Sequence, residues 1–500
     1  MPTPSRRDFL KLSTMLAGTA AASRLTVDGP LAHSGQSGTA PNVLVILFDA
    51  MSAANLSLYG YQRRTTPNLE RFAERATVYH QHYSAGNFTT PGTASLLTGQ
   101  YPWTHRAINQ GGLIARPLTD RNLFRAIGSQ YQRLAFSQNP WPNYFFGQFR
   151  RDIEIVVSPT AFGLMRSVYG DKFPSDLIGS YRALDDFLLQ DGTPPASLLL
   201  GLAARLHGIA TAPPAEQDAS GFTLRRVFDG LIGAIEALES PWLAYLHLMP
   251  PHAPYRPSRD FEGLFDDGWD PPRKPSHRLV DPRTHRSPAS LKQLRQAYDE
   301  YIANIDAELG RLLDYLSTHA IFEQSHVVIT SDHGEFFERG EQGHLTPLLY
   351  DPVVRIPLVV WSPGLTSRQD VHSPTSSTDV LATLAHLSGG QAPEWCEGRL
   401  LPARGGTADP ERSVFMIEAQ TNPAFQPLQR ASIAMRRGRY KLIDYMGYPL
   451  YRTQHRFEMY DMQNDPEELQ NIFSETESTA WSMREELLGR LELADAIYAK

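Results

Sequence analysis

The residues best suited to chemistry in this chain lie just beyond apolar runs. Val43-Leu44-Val45-Ile46-Leu47-Phe48 ends in Asp49, Leu243 to Leu248 is followed by Pro250-Pro251-His252, and His326 to Thr330 leads into Ser331-Asp332-His333-Gly334-Glu335. Carboxylates and imidazoles are hard or borderline donors, and neighbouring Asp and His suit an oxygen and nitrogen metal site. Singly, each signal is weak. An Asp after a strand often caps a helix, and a lone His is more often a satisfied core or surface group. The shared position of Asp49, His252, Asp332 and His333 at the ends of apolar runs is what points to one site.

Runs without polar alternation are the pattern of parallel strands buried on both faces. Helical patterns lie at Pro67 to Ala73 and, after a loop from Gly86 to Gly92, at Thr93 to Leu97. Alternating strands and helices predict an α/β fold: a wound, mostly parallel central sheet flanked by helices. Such sheets bind ligands beyond the carboxyl ends of their strands. From Gly398 onward the pattern changes. Ser432 to Ile443 reads as strand, turn and strand, Phe457 to Asp461 as another strand, and about 475 to 498 as a closing helix. A smaller C-terminal α+β domain, 396–500, is expected beside a catalytic domain, 41–395. Residues from about 150 to 235 read as inserted helices and loops without a motif. The Pro-, Arg- and His-rich stretch 267–290 reads as a long surface loop able to shape substrate choice.

The 500 residues carry a formal charge of -7 without long runs of one sign, which argues against nucleic acid as a partner and against a polybasic membrane patch. The single cysteine, Cys396, excludes an intrachain disulfide and a cysteine-rich zinc site. Ser5-Arg6-Arg7-Asp8-Phe9-Leu10-Lys11 precedes a short, weakly apolar stretch from Leu12 to Ala22, the pattern of a twin-arginine export signal. Residues 1–40 are therefore expected to be signal and linker. The mature protein is expected to be exported (periplasmic, cell-surface or secreted) and without a membrane span, since no window approaches ~20 uninterrupted apolar residues.

Along nearly its whole mature length the sequence resembles the sulfatase family, within the alkaline phosphatase superfamily. Pro41-Asn42-Val43 through Asp49 resembles the family's opening strand, Thr66-Pro67-Asn68-Leu69 its next signature, and Thr89-Thr90-Pro91 with Leu96-Leu97-Thr98-Gly99 its nucleophile motif. Pro251-His252-Ala253-Pro254-Tyr255 resembles the substrate-side histidine loop, and Ser331 to Glu335 the second metal segment. Tyr350-Asp351 through Leu358, Gly438 to Leu442, and Tyr460-Asp461 with Asn464-Asp465-Pro466 continue the likeness to the C-terminus. The resemblance implies a divalent metal ion held by Asp49, Thr89, Asp332 and His333. Calcium is usual in the family, and the presence of His333 with few carboxylates also admits manganese, zinc or magnesium.

Departures from the family pattern are as informative. Thr89 stands where sulfatases carry the cysteine or serine converted to formylglycine, and Thr93 where an arginine is expected. Ala50 replaces the second of two metal aspartates, and the expected lysine and histidine fall near Gln138 and Pro140. Formylglycine hydrate expels sulfate through a second hydroxyl, which threonine lacks. A threonine alkoxide can still attack phosphorus or sulfur in line, so phosphate or phosphonate esters are favoured over sulfate monoesters. The bland alternative is that Thr89 or Thr90 only caps the helix near Pro91. His252 and His344 are expected to contact the anion, and one of them to protonate the leaving oxygen. Asp306 reads as structural and His247 as core.

The function expected is metal-dependent hydrolysis of a sulfate, phosphate or phosphonate ester, with Thr89 as nucleophile and a small-molecule, glycan or lipid ester as substrate. Two alternatives stand beside it. One is a phosphotransferase acting on an envelope component; the other is a non-catalytic binding protein with the same fold, which the losses at 50, 93, 138 and 140 favour and the retained Asp49, Asp332 and His333 oppose.

Overall fold

In a computed structural model, residues 40–157 and 224–499 are described. The expected export signal, and residues 158–223 of the insertion expected from about 150 to 235, lie outside them; the ends of that stretch are corrected, since Ile155–Val157 is a strand of the central sheet and Leu224–Glu236 a helix packed on its core.

The central sheet has eight strands: β1 (Asn42–Asp49), β2 (Thr77–Tyr79), β3 (Gln132–Ser137), β4 (Ile155–Val157), β5 (Trp242–Pro251), β6 (Ser325–Ser331), β7 (Leu358–Trp361) and β8 (Gln369–Val371). Their order is β8-β2-β7-β6-β1-β5-β3-β4. Only β7 runs against the rest, pairing antiparallel with β6 and β2, so the sheet is mostly parallel, as the apolar runs require. The three strands whose ends carry the candidate ligands are neighbours, with β1 central between β5 and β6.

Because side chains alternate across a strand, β1 feeds two cores. Leu44, Ile46 and Phe48 face one, shared with α4 (Leu224–Glu236) and the 31-residue α5 (Pro288–Thr318). Val43, Val45 and Leu47 face the other, shared with α2 (Thr89–Thr98), α3 (Pro140–Gln148) and α6 (Asp379–Leu387). Helix α1 (Pro67–Ala73) spans the predicted residues. Its first turn donates the backbone amides of Asn68 and Leu69 to Asp306 on α5, at 2.8 and 2.9 Å, which gives Asp306 the structural task expected of it.

The C-terminal sheet is antiparallel, in the order β9 (Val414–Glu418), β10 (Ala431–Arg437), β11 (Tyr440–Met446), β12 (Phe457–Asp461), and is closed by α7 (Ser478–Ala496). Gly438 (φ 55°) supplies the left-handed turn between β10 and β11. Between β5 and α5 the chain forms no helix or strand, in line with the expected loop, but specific contacts hold it down. Arg63 pairs with Asp267 at 2.8 Å, Lys274 with Glu338 at 2.7 Å, and His277 with Glu458 of β12 at 3.2 Å.

Lys441 of β11 is fully buried and ion-paired with Asp351 at 2.9 Å and Glu468 at 2.7 Å. Burial pushes the Glu468 carboxyl up to about 7 against the pull of Lys441. Removing the ammonium strands two buried carboxyl groups, so Lys441→Met should lower stability by about 3–5 kcal/mol, read as a fall in the denaturant midpoint.

Candidate metal centre

Asp49 ends β1 and Asp332 follows β6, and because these strands are neighbours the two carboxylates stand together, both fully buried. Among the described residues no lysine or arginine pairs with either; their charged partners are imidazoles. Two adjacent buried carboxylates demand compensating positive charge, which here only imidazoles supply among the described residues.

His333 Nε2 lies 3.3 Å from Asp49 Oδ1 and 3.7 Å from Asp332 Oδ1. Its Nδ1 is 2.8 Å from the Gly334 carbonyl. That carbonyl can only accept, so Nδ1 carries the proton and a neutral His333 turns the Nε2 lone pair toward the carboxylates. The Thr89 hydroxyl completes the group, 3.5 Å from Asp49 Oδ2 and 3.4 Å from His333 Nε2. Thus Asp49, Thr89, Asp332 and His333 are brought together.

Helix α2 delivers Thr89. The helix begins at Thr89 itself, inside the segment expected to be loop, and its N-cap is Phe88 with no side-chain cap. Neither Thr89 nor Thr90 caps it: the Thr90 hydroxyl accepts from the Gly111 amide at 2.9 Å instead. The helix lies so close to the metal segment that a Cβ at Gly92 would sit 2.2 Å from the Asp332 carbonyl oxygen. Only glycine permits that approach. Thr93, in place of an arginine, donates its hydroxyl to Asp332 Oδ2 at 3.4 Å.

At the aspartate-to-alanine departure, Ala50 is left-handed (φ 62°). Its amide donates to Asp332 Oδ1 at 3.2 Å and its carbonyl accepts from the Tyr298 hydroxyl at 2.6 Å.

Burial opposes ionisation of Asp49, but the His252 charge and the hydrogen bonds with His247 and His333 outweigh it and hold this carboxyl well below the usual range. Burial and the Asp49 charge raise Asp332. Burial disfavours the His333 cation, yet Asp332 and Asp49 carry it up to about 9. A divalent cation would keep both carboxylates ionised and take up the lone pair of a neutral imidazole.

Two donors bound side by side at about 2.1 Å from one ion lie about 3 Å apart. The separations above, 3.3 to 3.7 Å, are close to that spacing. Asp49 Oδ1 also has no hydrogen-bond partner despite being buried. The donor set therefore fits a divalent metal.

Two polar residues at the centre escaped the sequence reading. His247, read as core, is indeed fully buried, but its Nε2 is 3.2 Å from Asp49 Oδ2 and 3.7 Å from Asp332 Oδ2. Asp49, His247 and Asp332 each offer a ligand atom, all within 4.8 Å of one another. The core assignment is corrected accordingly, since His247 is part of the polar centre. Asn139, between the two positions where a lysine and histidine were sought, donates Nδ2 to Asp49 Oδ2 at 2.5 Å and to Thr89 Oγ at 3.3 Å. Its Asn-Pro dipeptide at a helix start was the available signal, and its Oδ1 does accept from the Trp141 amide to cap α3.

His252 and His344 stand at the same place, with ring centroids 4.9 Å apart and His344 4.3 Å from His333. His344 Nδ1 is 3.1 Å from Glu335 Oε2, a fully buried carboxyl that the sequence reading left unused. Asn87 fixes the His344 backbone by donating to its carbonyl at 2.8 Å. Burial and the neighbouring His333 lower the His344 pKa. Cys396 lies away from this group, its sulfur against the Gly99 and Thr378 carbonyls, and burial pushes its thiol up to about 12.

Comparison with known proteins finds a family and a fold that the chain shares. The family model described as Sulfatase matches residues 41–390, and one described as N-sulphoglucosamine sulphohydrolase, C-terminal, matches 340–494. A choline-sulfatase of Rhizobium meliloti is 22% identical over 86% of this chain and 82% of its own length. A multifunctional alkaline phosphatase superfamily protein of Trinickia caryophylli is 25% identical over 81% of this chain and 85% of its own. In fold, a phosphonate monoester hydrolase of Agrobacterium radiobacter superposes with a TM-score of 0.67 at 18% identity, covering 91% of this chain and 96% of that one.

Asp332→Ala removes one carboxylate of the buried pair. The expected outcome is loss of the bound divalent ion, measured by elemental analysis of dialysed protein, with an unchanged circular dichroism spectrum. Full metal content in the variant would take Asp332 out of the ligand set.

Proposed function

The chain belongs to the sulfatase family, and on that footing we propose that it is a metal-dependent hydrolase of sulfate or phosphate/phosphonate esters in which the Thr89 hydroxyl is the nucleophile. The observation that carries the proposal is the position of that hydroxyl, which leaves its helix uncapped and instead meets Asp49, His333 and Asn139.

Asp49, Thr89, Asp332 and His333 would hold a divalent cation, which would supply positive charge for the ester oxygens and lower the pKa of the hydroxyl so that its proton is lost to solvent. Asn139 fixes the Thr89 oxygen from the side through its Nδ2. The first turn of α2, with no side-chain cap on its amides, favours the negative charge of the bound ester and stands in for the arginine replaced by Thr93. Thr89 Oγ attacks the central atom in line, and the leaving oxygen takes its proton from His344 or His252. Both have Nδ1 held, His344 by Glu335 Oε2 at 3.1 Å and His252 by the Ala253 carbonyl at 2.6 Å, which leaves Nε2 of either ring to serve the substrate. The resulting threonine ester has no second hydroxyl, so water must displace it at phosphorus or sulfur. This step favours phosphate or phosphonate esters.

The names of the relatives span the same chemistry, from choline-sulfatase to phosphonate monoester hydrolase. A small-molecule, glycan or lipid ester remains the proposed substrate, with calcium, manganese, zinc or magnesium as the ion. The twin-arginine pattern supports export, and no helix among the described residues is long and apolar enough to cross a membrane. The buried ligand cluster disfavours a purely binding role, because a scaffold gains nothing from two adjacent buried carboxylates. We place the change from catalytic to C-terminal domain near residue 395.

Thr89→Val keeps the shape and removes the oxygen. Steady-state assays against sulfate monoesters, phosphate monoesters, phosphate diesters and phosphonate esters should show a loss of several orders of magnitude, with the wild type preferring the phosphorus esters. Thr89→Ser should retain partial activity. A variant Thr89→Val with most of its activity would mean that water attacks directly.

A further inference from the structure

We infer that His247 is a direct ligand of the divalent ion, so that the centre is built from two carboxylates, one hydroxyl and two imidazoles. The inference rests on the metal-dependent reading of the site and adds a residue to it.

The argument is one of matching orientation. His333 presents Nε2 to the carboxylates while its Nδ1 is held by a carbonyl. His247 is built the same way, with Nε2 3.2 Å from Asp49 Oδ2 and 3.7 Å from Asp332 Oδ2, and Nδ1 3.4 Å from the Tyr245 hydroxyl. The Tyr245 hydroxyl oxygen can accept Nδ1–H. Metal-bound histidines commonly have their second ring nitrogen donated to an oxygen in this manner.

The two imidazoles divide the carboxylate oxygens between them. His333 approaches Asp49 Oδ1 and Asp332 Oδ1, whereas His247 approaches the Oδ2 atom of each. The two imidazoles therefore do not compete for the same carboxylate oxygens, and both could face one ion. Asp49 Oδ2 already receives a hydrogen bond from Asn139 at 2.5 Å, so it does not need His247 as a donor. The strand also explains how a histidine reaches this depth. His247 sits on β5 opposite Leu47, two positions before Asp49 on β1, and at the open end of the sheet. Where family members place a second aspartate, Ala50 offers no donor side chain, and His247 restores the ligand count with a neutral group. Two imidazoles and two carboxylates suit borderline transition ions such as manganese or zinc better than calcium, which takes oxygen ligands.

The test uses the full chain loaded with Mn²⁺ and pulsed electron paramagnetic resonance of the directly bound ¹⁴N nuclei. Two imidazole nitrogens are expected in the wild type and one in His247→Gln. His252→Gln and His344→Gln should both keep two, and these variants locate the second nitrogen even if His247→Gln fails to fold. Manganese affinity should fall about 100-fold or more in His247→Gln, beyond the 10–100-fold typical of an outer-shell contact, while calcium affinity changes less. A single nitrogen in a wild type that binds manganese and hydrolyses esters overturns the inference alone, leaving His247 as a hydrogen-bond donor to Asp49. Loss of one nitrogen in His252→Gln or His344→Gln overturns it too. A wild type that binds no manganese while its ester hydrolysis survives chelation overturns both this inference and the metal-dependent reading.

Discussion

Two aspartates that the chain separates by 283 positions, Asp49 and Asp332, are forced side by side in the interior, and among the described residues no lysine or arginine pairs with them. That juxtaposition costs free energy through desolvation and mutual repulsion, and the surrounding structure is organised around holding it. Backbone amides of Ala50 and His333 donate to Asp332 Oδ1, the Asn139 amide to Asp49 Oδ2, and two imidazoles reach the pair from different sides. Strand pairing of β1 with β5 and β6 makes the arrangement obligatory, since their registers set which residues emerge together at the sheet's end. A divalent ion cancels the charge of both carboxylates, so the same cluster that is unfavourable as a set of side chains becomes favourable as a ligand shell.

The sequence disclosed those parts of the fold that satisfy a local rule strongly. Val43 to Phe48 could only be a strand buried on both faces, and the predicted bounds of α1 and of the strand Phe457–Asp461 agree with the structure because each pattern is bounded by clear polar or proline signals. The strands Thr77–Tyr79, Ile155–Val157 and Gln369–Val371 have three residues each, too few for any periodicity to stand out. Asp49, Thr89, Asp332 and His333 were legible because motif order placed them at strand and helix ends. His247 was not. In a strand buried on both faces there is no polar alternation to mark one histidine as functional, and the run from Leu243 to Leu248 absorbs it. Asn139 and Glu335 were hidden for a different reason, since their roles come from partners distant in sequence: Asp49 and Thr89 for Asn139, and a Glu335 carboxyl aimed at His344.

Threonine at position 89 changes what the rest of the site must do. Formylglycine brings its own means of releasing sulfate, and a simple hydroxyl does not, so under the proposed mechanism the burden shifts to a second displacement at the central atom. Departures elsewhere in the motif are coherent with that shift. Thr93 and Asn139 are neutral where cationic groups are expected, and they hydrogen-bond to the ligand carboxylates and to Thr89. Among the described residues, positive charge against the two carboxylates is thereby left to the histidines, and to an ion where one is bound.

The C-terminal sheet is part of the same mechanical system. Lys441 on β11 grips Asp351 and Glu468, and Glu468 Oε2 also accepts the Asp351 amide at 2.8 Å, which fixes the start of the short helix Asp351–Val354. That helix accepts the Gly334 amide at the Val353 carbonyl, 2.6 Å, and the Glu335 amide at the Pro352 carbonyl, 3.0 Å. A Cβ at Gly334 would lie 2.1 Å from the Pro352 oxygen, so only glycine lets the two segments meet. Gly334 in turn supplies the carbonyl that orients His333, and Glu335 supplies the carboxyl that orients His344. A continuous chain of buried polar contacts therefore runs from the small sheet to both imidazoles. This is a physical reason for the likeness to sulfatases to extend through Gly438 to Leu442, far from any ligand: the turn and the lysine that follows it set the backbone from which the metal segment hangs.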